Sequence, residues 1–180
     1  MALDVDIRGM ILPIITIPSP LLRNNSRDIS KMELKTPEII VLIKNMCDTM
    51  PARDGIGLAA PQVGINVNIA VIATDKGPLV AVNPKIIKAS EEMQEDEEGC
   101  LSIPGIAGMV PRATSIKVAF LSAQGTRTTL NAQGLFARVF QHEIDHLRGI
   151  LYIDRVTRFT TKVTHVQQEG FKAFLHTPPL

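Results

Sequence analysis

The segment Gln141-His142-Glu143-Ile144-Asp145-His146-Leu147 restricts the fold more than any other part of the chain. Histidines at i and i+4 share one face of a helix, one turn apart, so both imidazoles can reach one cation. Glu143 points beside that position and is placed to act on water activated there. The helix is well bounded, from about Gly134 to Arg148, with Gly149 as its C-terminal stop. Leu135, Val139, His142 and His146 share a face by spacing. That face is expected to be buried, which gives the cation a dry, low-dielectric wall. Such a site needs a third protein ligand and an open position for water.

The third ligand has three possible sources. A further histidine, as in the pattern His-Glu-x-x-His-x-x-Gly-x-x-His, is ruled out: Gly149 is in register, but the last position is Tyr152. A zincin-type peptidase would use a downstream glutamate, and Glu169 is the only one after the motif. It lies in a weakly helical stretch from about Thr160 to Leu175, a poor platform for a rigid ligand. Upstream, Cys100 sits in Glu97-Glu98-Gly99-Cys100-Leu101-Ser102, which reads as a turn-like segment between strands. A thiolate is a strong ligand for a soft or borderline cation. The glycine and flanking acids argue against simple core filling there. Cys47 falls on the apolar face of another helix and reads as a small buried hydrophobe.

The remainder of the chain reads as an α+β domain spanning 1–180, with the segment from about 160 to 180 peripheral. The first 35 residues are extended and punctuated by Pro13, Pro18 and Pro20. Thr36-Pro37-Glu38 starts an N-terminal amphipathic helix with a hydroxyl cap and proline at the first position. Ile39, Leu42, Ile43, Met46, Cys47 and Met50 recur at helical spacing until Pro51. The stretch from Asp54 to Gly64 is too rich in glycine and proline for a regular element. Strands are expected at Val67–Ala73, Pro78–Val82 and Ile86–Ala89, with a hairpin of Ile116–Ser122 and Arg127–Asn131 around Gln124-Gly125. The expected architecture is short, mostly antiparallel sheets around a central metal-binding helix, with a C-terminal helix after it. A net charge of +1, with lysines and arginines scattered, argues against nucleic acid or an anionic membrane as the main ligand. Two cysteines make no disulfide framework, the first six residues carry acid where a signal peptide carries base, and no apolar run approaches roughly 18 residues. A cytoplasmic, reducing setting is the expectation.

Three segments in order, Gly55-Ile56-Gly57-Leu58-Ala59-Ala60-Pro61-Gln62, Glu98-Gly99-Cys100-Leu101-Ser102 and Gln141–Leu147, resemble the signature motifs of the peptide deformylase family. The resemblance spans about residues 10 to 155. It implies Cys100, His142 and His146 as ligands of one divalent ion. Composition alone reads that donor set as zinc, whereas the resemblance implies Fe2+, with Zn2+, Ni2+ or Co2+ as alternatives. It implies Glu143 as general acid/base, and Gln62 with the Leu101 N–H as donors to the oxyanion. Gly55, Gly57, Gly99, Leu135 and Val139 would contact substrate, the last two lining a methionine pocket. Glu98 and Arg112 would support the ligands. The implied activity is hydrolytic removal of the formyl group from N-formyl-methionyl nascent peptides, releasing formate, with transient ribosome contact.

Two positions depart from the family pattern. Ala107 stands where many relatives carry arginine near the substrate side chain, and Arg138 stands on the metal helix where relatives favour an apolar residue. These bear on substrate preference and rate. Besides the zincin-type peptidase, a non-catalytic, metal-stabilised binding module is the alternative; its expected mark is a broken catalytic set, yet Glu143, Gln62 and Cys100 are all present.

Overall fold

A computed structural model describes residues 9–161. Helix α1 runs Pro37–Ala52 and buries Ile39, Met46 and Met50, as their spacing requires. Its N-terminus departs from expectation: the Thr36 hydroxyl does not cap the helix but donates to the Glu33 carbonyl at 2.9 Å. Pro51 lies inside the last turn, and the helix ends one residue later. Two polar residues on the buried side have a use. Asn45 Oδ1 accepts the Met10 N–H and Thr49 Oγ1 accepts the Leu12 N–H, both at 2.9 Å, which lays the extended N-terminal segment along α1.

Five strands form an antiparallel sheet in the order β1-β2-β3-β6-β7. They are β1 (Gly57–Ala59), β2 (Ile69–Ile72), β3 (Leu79–Ala89), β6 (Ser115–Leu121) and β7 (Arg127–Gln133). A second sheet, ordered β4-β5-β8, joins β4 (Met93–Cys100), β5 (Ile103–Ala113) and β8 (Arg158–Phe159). Helix α2 (Gly134–Leu147) packs against β1, β2 and β7 of the first sheet and β5 of the second. Its sheet-facing side buries Phe140 and Ile144 with Val118 and Phe120. Helix α1 closes the other part of the core, where Met46 and Met50 meet Leu58, Ile69 and Val71.

Four local differences from the sequence expectation have physical causes. The two pieces expected at 78–82 and 86–89 are one strand, β3, whose register shifts between Val82 and Lys85. Asn83 takes a φ of 52° there, a conformation asparagine tolerates, and its amide exchanges two hydrogen bonds with the Ile29 backbone. The glycine-rich stretch expected to be irregular holds strand β1 and a 3-10 turn, Ala60–Val63. Strand β4 was hidden by Glu95-Asp96-Glu97-Glu98, residues with poor strand propensity that pairing with β5 overrides. Cys100 therefore ends a strand instead of sitting in a free turn. Thr160 and Thr161 form a bend after β8; the rest of the expected C-terminal helix, Glu169 and the acidic first six residues lie outside the described residues.

Gly149, which stops α2, has a φ of 69°, and a Cβ there would fall 2.2 Å from the Arg23 carbonyl oxygen. Both the backbone conformation and the contact resist a side chain. Gly149→Ala is expected to lower unfolding free energy by at least about 1 kcal/mol, read from the urea midpoint.

Candidate metal centre

Helix α2 sets the His142 and His146 rings 4.9 Å apart, centroid to centroid. The end of β4 brings in the third group: Cys100 Sγ lies 3.2 Å from His146 Nε2. One donor atom from each of Cys100, His142 and His146 lies within 4.8 Å of the other two. Between Gly99 and Cys100 the β4–β5 register breaks, so that Gly99 pairs with Ala107 but Cys100 with Ile103. Such irregularities re-aim a side chain, and here the thiol turns toward α2. Two imidazoles and a thiol, supplied by a helix and a distant strand, fit a tetrahedral cation site with one open position.

Glu98, two residues before Cys100, is buried and charged. Burial works against that charge. Hydrogen bonds from His142 and Arg112 outweigh it and hold the carboxyl well below the usual carboxylate range. Arg112 donates through Nε at 2.9 Å and Nη2 at 3.0 Å, and also pairs with Asp145. Asp145 takes a further bidentate pair from Arg155 at 2.6 and 2.8 Å. Arg138 donates to Glu98 Oε1 at 2.8 Å. His142 Nδ1 meets Glu98 Oε2 at 2.9 Å, and because a carboxylate only accepts, Nδ1 carries a hydrogen and Nε2 is the nitrogen turned to the site, where a cation would take the place of its proton. Burial opposes a proton on both imidazoles. At His142 the bonds with Cys100 and Glu98 overcome it and raise the pKa; at His146 burial, reinforced by His142, lowers it.

Glu143 faces the same centre from α2 and is 4 % exposed. Burial, with Glu98 nearby, pushes its carboxyl up to about 7 against the pull of His142. Among the described residues its Oε2 has no hydrogen-bond partner. Gly57 explains how α2 comes so near β1: a Cβ at Gly57 would lie 2.3 Å from Glu143 Oε1. Gln62 Oε1 accepts the Ala59 N–H at 2.8 Å, which turns Nε2 toward Cys100 Sγ at 3.5 Å and Ser102 Oγ at 3.4 Å.

A cavity of about 630 Å³ opens over these groups. Gly55, Gly57, Gly99, Leu135 and Val139 all line it. So do Gln62, Leu101, Cys100, His142 and Glu143, while His146 lies beneath, 1 % exposed. Leu135 corrects the expectation of a wholly buried helix face: in the first turn of α2 it is 65 % exposed and lines the open cavity, where no core lies over it. Ala107 also lines the cavity, beside Thr161, whose hydroxyl oxygen accepts the Ala107 N–H at 3.1 Å. Three contributors escaped the sequence. Ser102 sends its N–H to Cys100 Sγ at 3.4 Å, Asp145 anchors Arg112, and the Tyr152 ring stacks on His142 at 6.1 Å. Asp145 and Ser102 lie inside the signature motifs without a role assigned to them, and Tyr152 carries no such signal.

The family model described as Polypeptide deformylase matches residues 11–162. The peptide deformylase of Desulfitobacterium hafniense is 45% identical over 148 residues, 82% of this chain and 96% of that protein. The class I type b peptide deformylase of Acinetobacter baumannii, crystallised with Met-Ala-Ser bound, is 37% identical, with a TM-score of 0.78 over 82% of this chain and 99% of its own. The Thermotoga maritima peptide deformylase structure is 38% identical, with a TM-score of 0.78 over 83% and 99% of the two chains.

Arg112→Met would leave Glu98 and Asp145 buried with too little opposing charge. A loss of about 3–5 kcal/mol in unfolding free energy is expected by urea denaturation. A loss below about 1 kcal/mol would show that the network is readily solvated instead.

Proposed function

This chain belongs to the polypeptide deformylase family, and on that premise we propose that Cys100, His142 and His146 hold one divalent cation at which the formyl group is removed from N-formyl-methionyl nascent polypeptides. The carrying observation is the convergence of a thiol and two imidazoles beside a buried glutamate that has a carboxylate oxygen to spare. Ferrous iron is the first choice of ion on the family resemblance, with zinc, nickel and cobalt as alternatives. A cation bound there supplies Lewis acidity and lowers the pKa of water from about 15.7 toward 7.

The residues divide the remaining work. Glu143 Oε2 takes a proton from the attacking water and returns it to the leaving amine nitrogen. A carboxyl near 7 suits both directions at neutral pH. As the formyl oxygen gains charge, the Gln62 amide and the Leu101 N–H receive it. Gln62 is oriented for this in advance by its bond to Ala59.

The substrate would enter as an added strand. Both β1 and β4 are edge strands, and both border the cavity. Main-chain pairing along Gly55, Gly57 and Gly99 accepts any sequence after the first residue, as an enzyme of nascent chains requires. The methionine side chain would lie against Leu135 and Val139. The Met-Ala-Ser complex of the Acinetobacter baumannii relative supports a methionine-led peptide as occupant. An enzyme acting on nascent chains would work in the cytoplasm, in transient contact with the ribosome. Among the described residues no helix is long and apolar enough to cross a membrane.

Protein loaded with iron or nickel without oxygen should release formate from formyl-Met-Ala-Ser, and silence in every metal form would overturn the proposal. Glu143→Gln should keep its metal while turnover falls about 10²–10⁴-fold. Gln62→Met should lower kcat about 10²–10³-fold. Cys100→Ser should lose metal and Glu169→Ala keep it; the reverse would favour a zincin-type peptidase.

A further inference from the structure

Arg138 sits on α2 one turn before His142, 7 % exposed, on a helix side where packing alone would be served by an apolar residue. A buried guanidinium is costly unless its donors are used. Arg138 uses them on three groups. Nη1 donates to Glu98 Oε1 and to the Val110 carbonyl, each at 2.8 Å, and Nη2 donates to the Gln94 carbonyl at 2.6 Å. One side chain therefore ties α2 to both strands of the β4–β5 hairpin. Asp96 Oδ2, at 3.8 Å, adds a looser charge contact.

The contact with Glu98 has a directional consequence. Arg112 is shared between Glu98 and Asp145. Glu98 Oε1 receives Arg112 Nε and Arg138 Nη1, while Oε2 receives Arg112 Nη2 and His142 Nδ1. With Oε1 occupied from two sides, the carboxylate is held against rotation, and Oε2 is the oxygen left for the imidazole. We propose that Arg138 is a positioning residue which, through Glu98, fixes the ring and tautomer of His142 for the cation. This rests on the assignment of Cys100, His142 and His146 as ligands. It makes Arg138 part of the metal centre and not of the substrate pocket alone.

A double-mutant cycle tests it, with Co2+ as probe and affinity read by chelator competition against the cobalt absorption bands. R138M is expected to weaken Co2+ binding about 10–100-fold, E98Q at least as much, and the double variant no more than E98Q alone. R138K, which keeps a cation for Glu98, should restore binding to within about threefold of wild type. In the Zn2+-loaded wild type, ¹⁵N NMR of His142 should show a single form with hydrogen on Nδ1; R138M should show more than one form. Affinity of R138M within about threefold of wild type, or losses that multiply in the double variant, would overturn the proposal. Should R138M not hold the fold by circular dichroism, R138Q takes its place in the cycle under the same criteria. A wild type that bound no Co2+ would sink the ligand assignment instead, so the two failures are distinguishable.

Discussion

A carboxylate taken out of water is tolerated only where opposite charge and hydrogen bonds surround it, and Glu98 meets that condition through Arg112, Arg138 and His142. Its partners lie on β5 and α2, while Glu98 itself lies on β4. Satisfying one buried charge therefore also sets the spacing between the strand that carries Cys100 and the helix that carries His142 and His146. Asp145 repeats the pattern one turn further along α2, joining β5 through Arg112 and the segment after α2 through Arg155. The apolar core fixes which faces meet. These ion pairs fix how far along one another the elements stop.

The same centre holds a second buried carboxylate in the opposite condition. Glu98 is surrounded by donors and held charged; Glu143 lies against Gly57 and Val139, and burial lifts it toward neutrality. Neighbouring carboxyls driven apart in this way take separate tasks, one structural and one able to trade a proton. His142 follows Arg138 by four positions and Glu143 comes next, so fewer than two turns of α2 carry the supporting guanidinium, a proposed ligand and the proposed acid/base group.

Helix α2 is legible in the sequence because its period, its glycine stop and its histidine spacing agree. Helix α1 and the β6–β7 hairpin are legible for the same kind of reason: local pattern and tertiary role coincide. Strand β4 is not, since four consecutive acids give no strand signal and its pairing with β5 supplies what propensity lacks. At the site, the two histidines and the thiol stand out by residue type. Ser102 and Tyr152 do not, because a serine beside a sulfur or a ring over an imidazole is created by folding and has no spacing of its own. Leu135 shows the converse, a correct periodicity whose first member is left exposed at the cavity.

The acid run that conceals β4 has a consequence for how this molecule behaves in a crowd of its own copies. An uncovered sheet edge is a template for any chain that comes alongside, and self-association through such edges leads toward aggregates. Glu95, Asp96 and Glu97 are exposed along β4, so a second copy aligning there meets like charge at close range. The uncharged Gly99 lies two positions beyond Glu97 and lines the cavity together with Glu97 and Glu98. The border is repellent along most of its length and uncharged at its end, so the strand entry proposed above for a short peptide would use the one stretch that does not turn a sister molecule away.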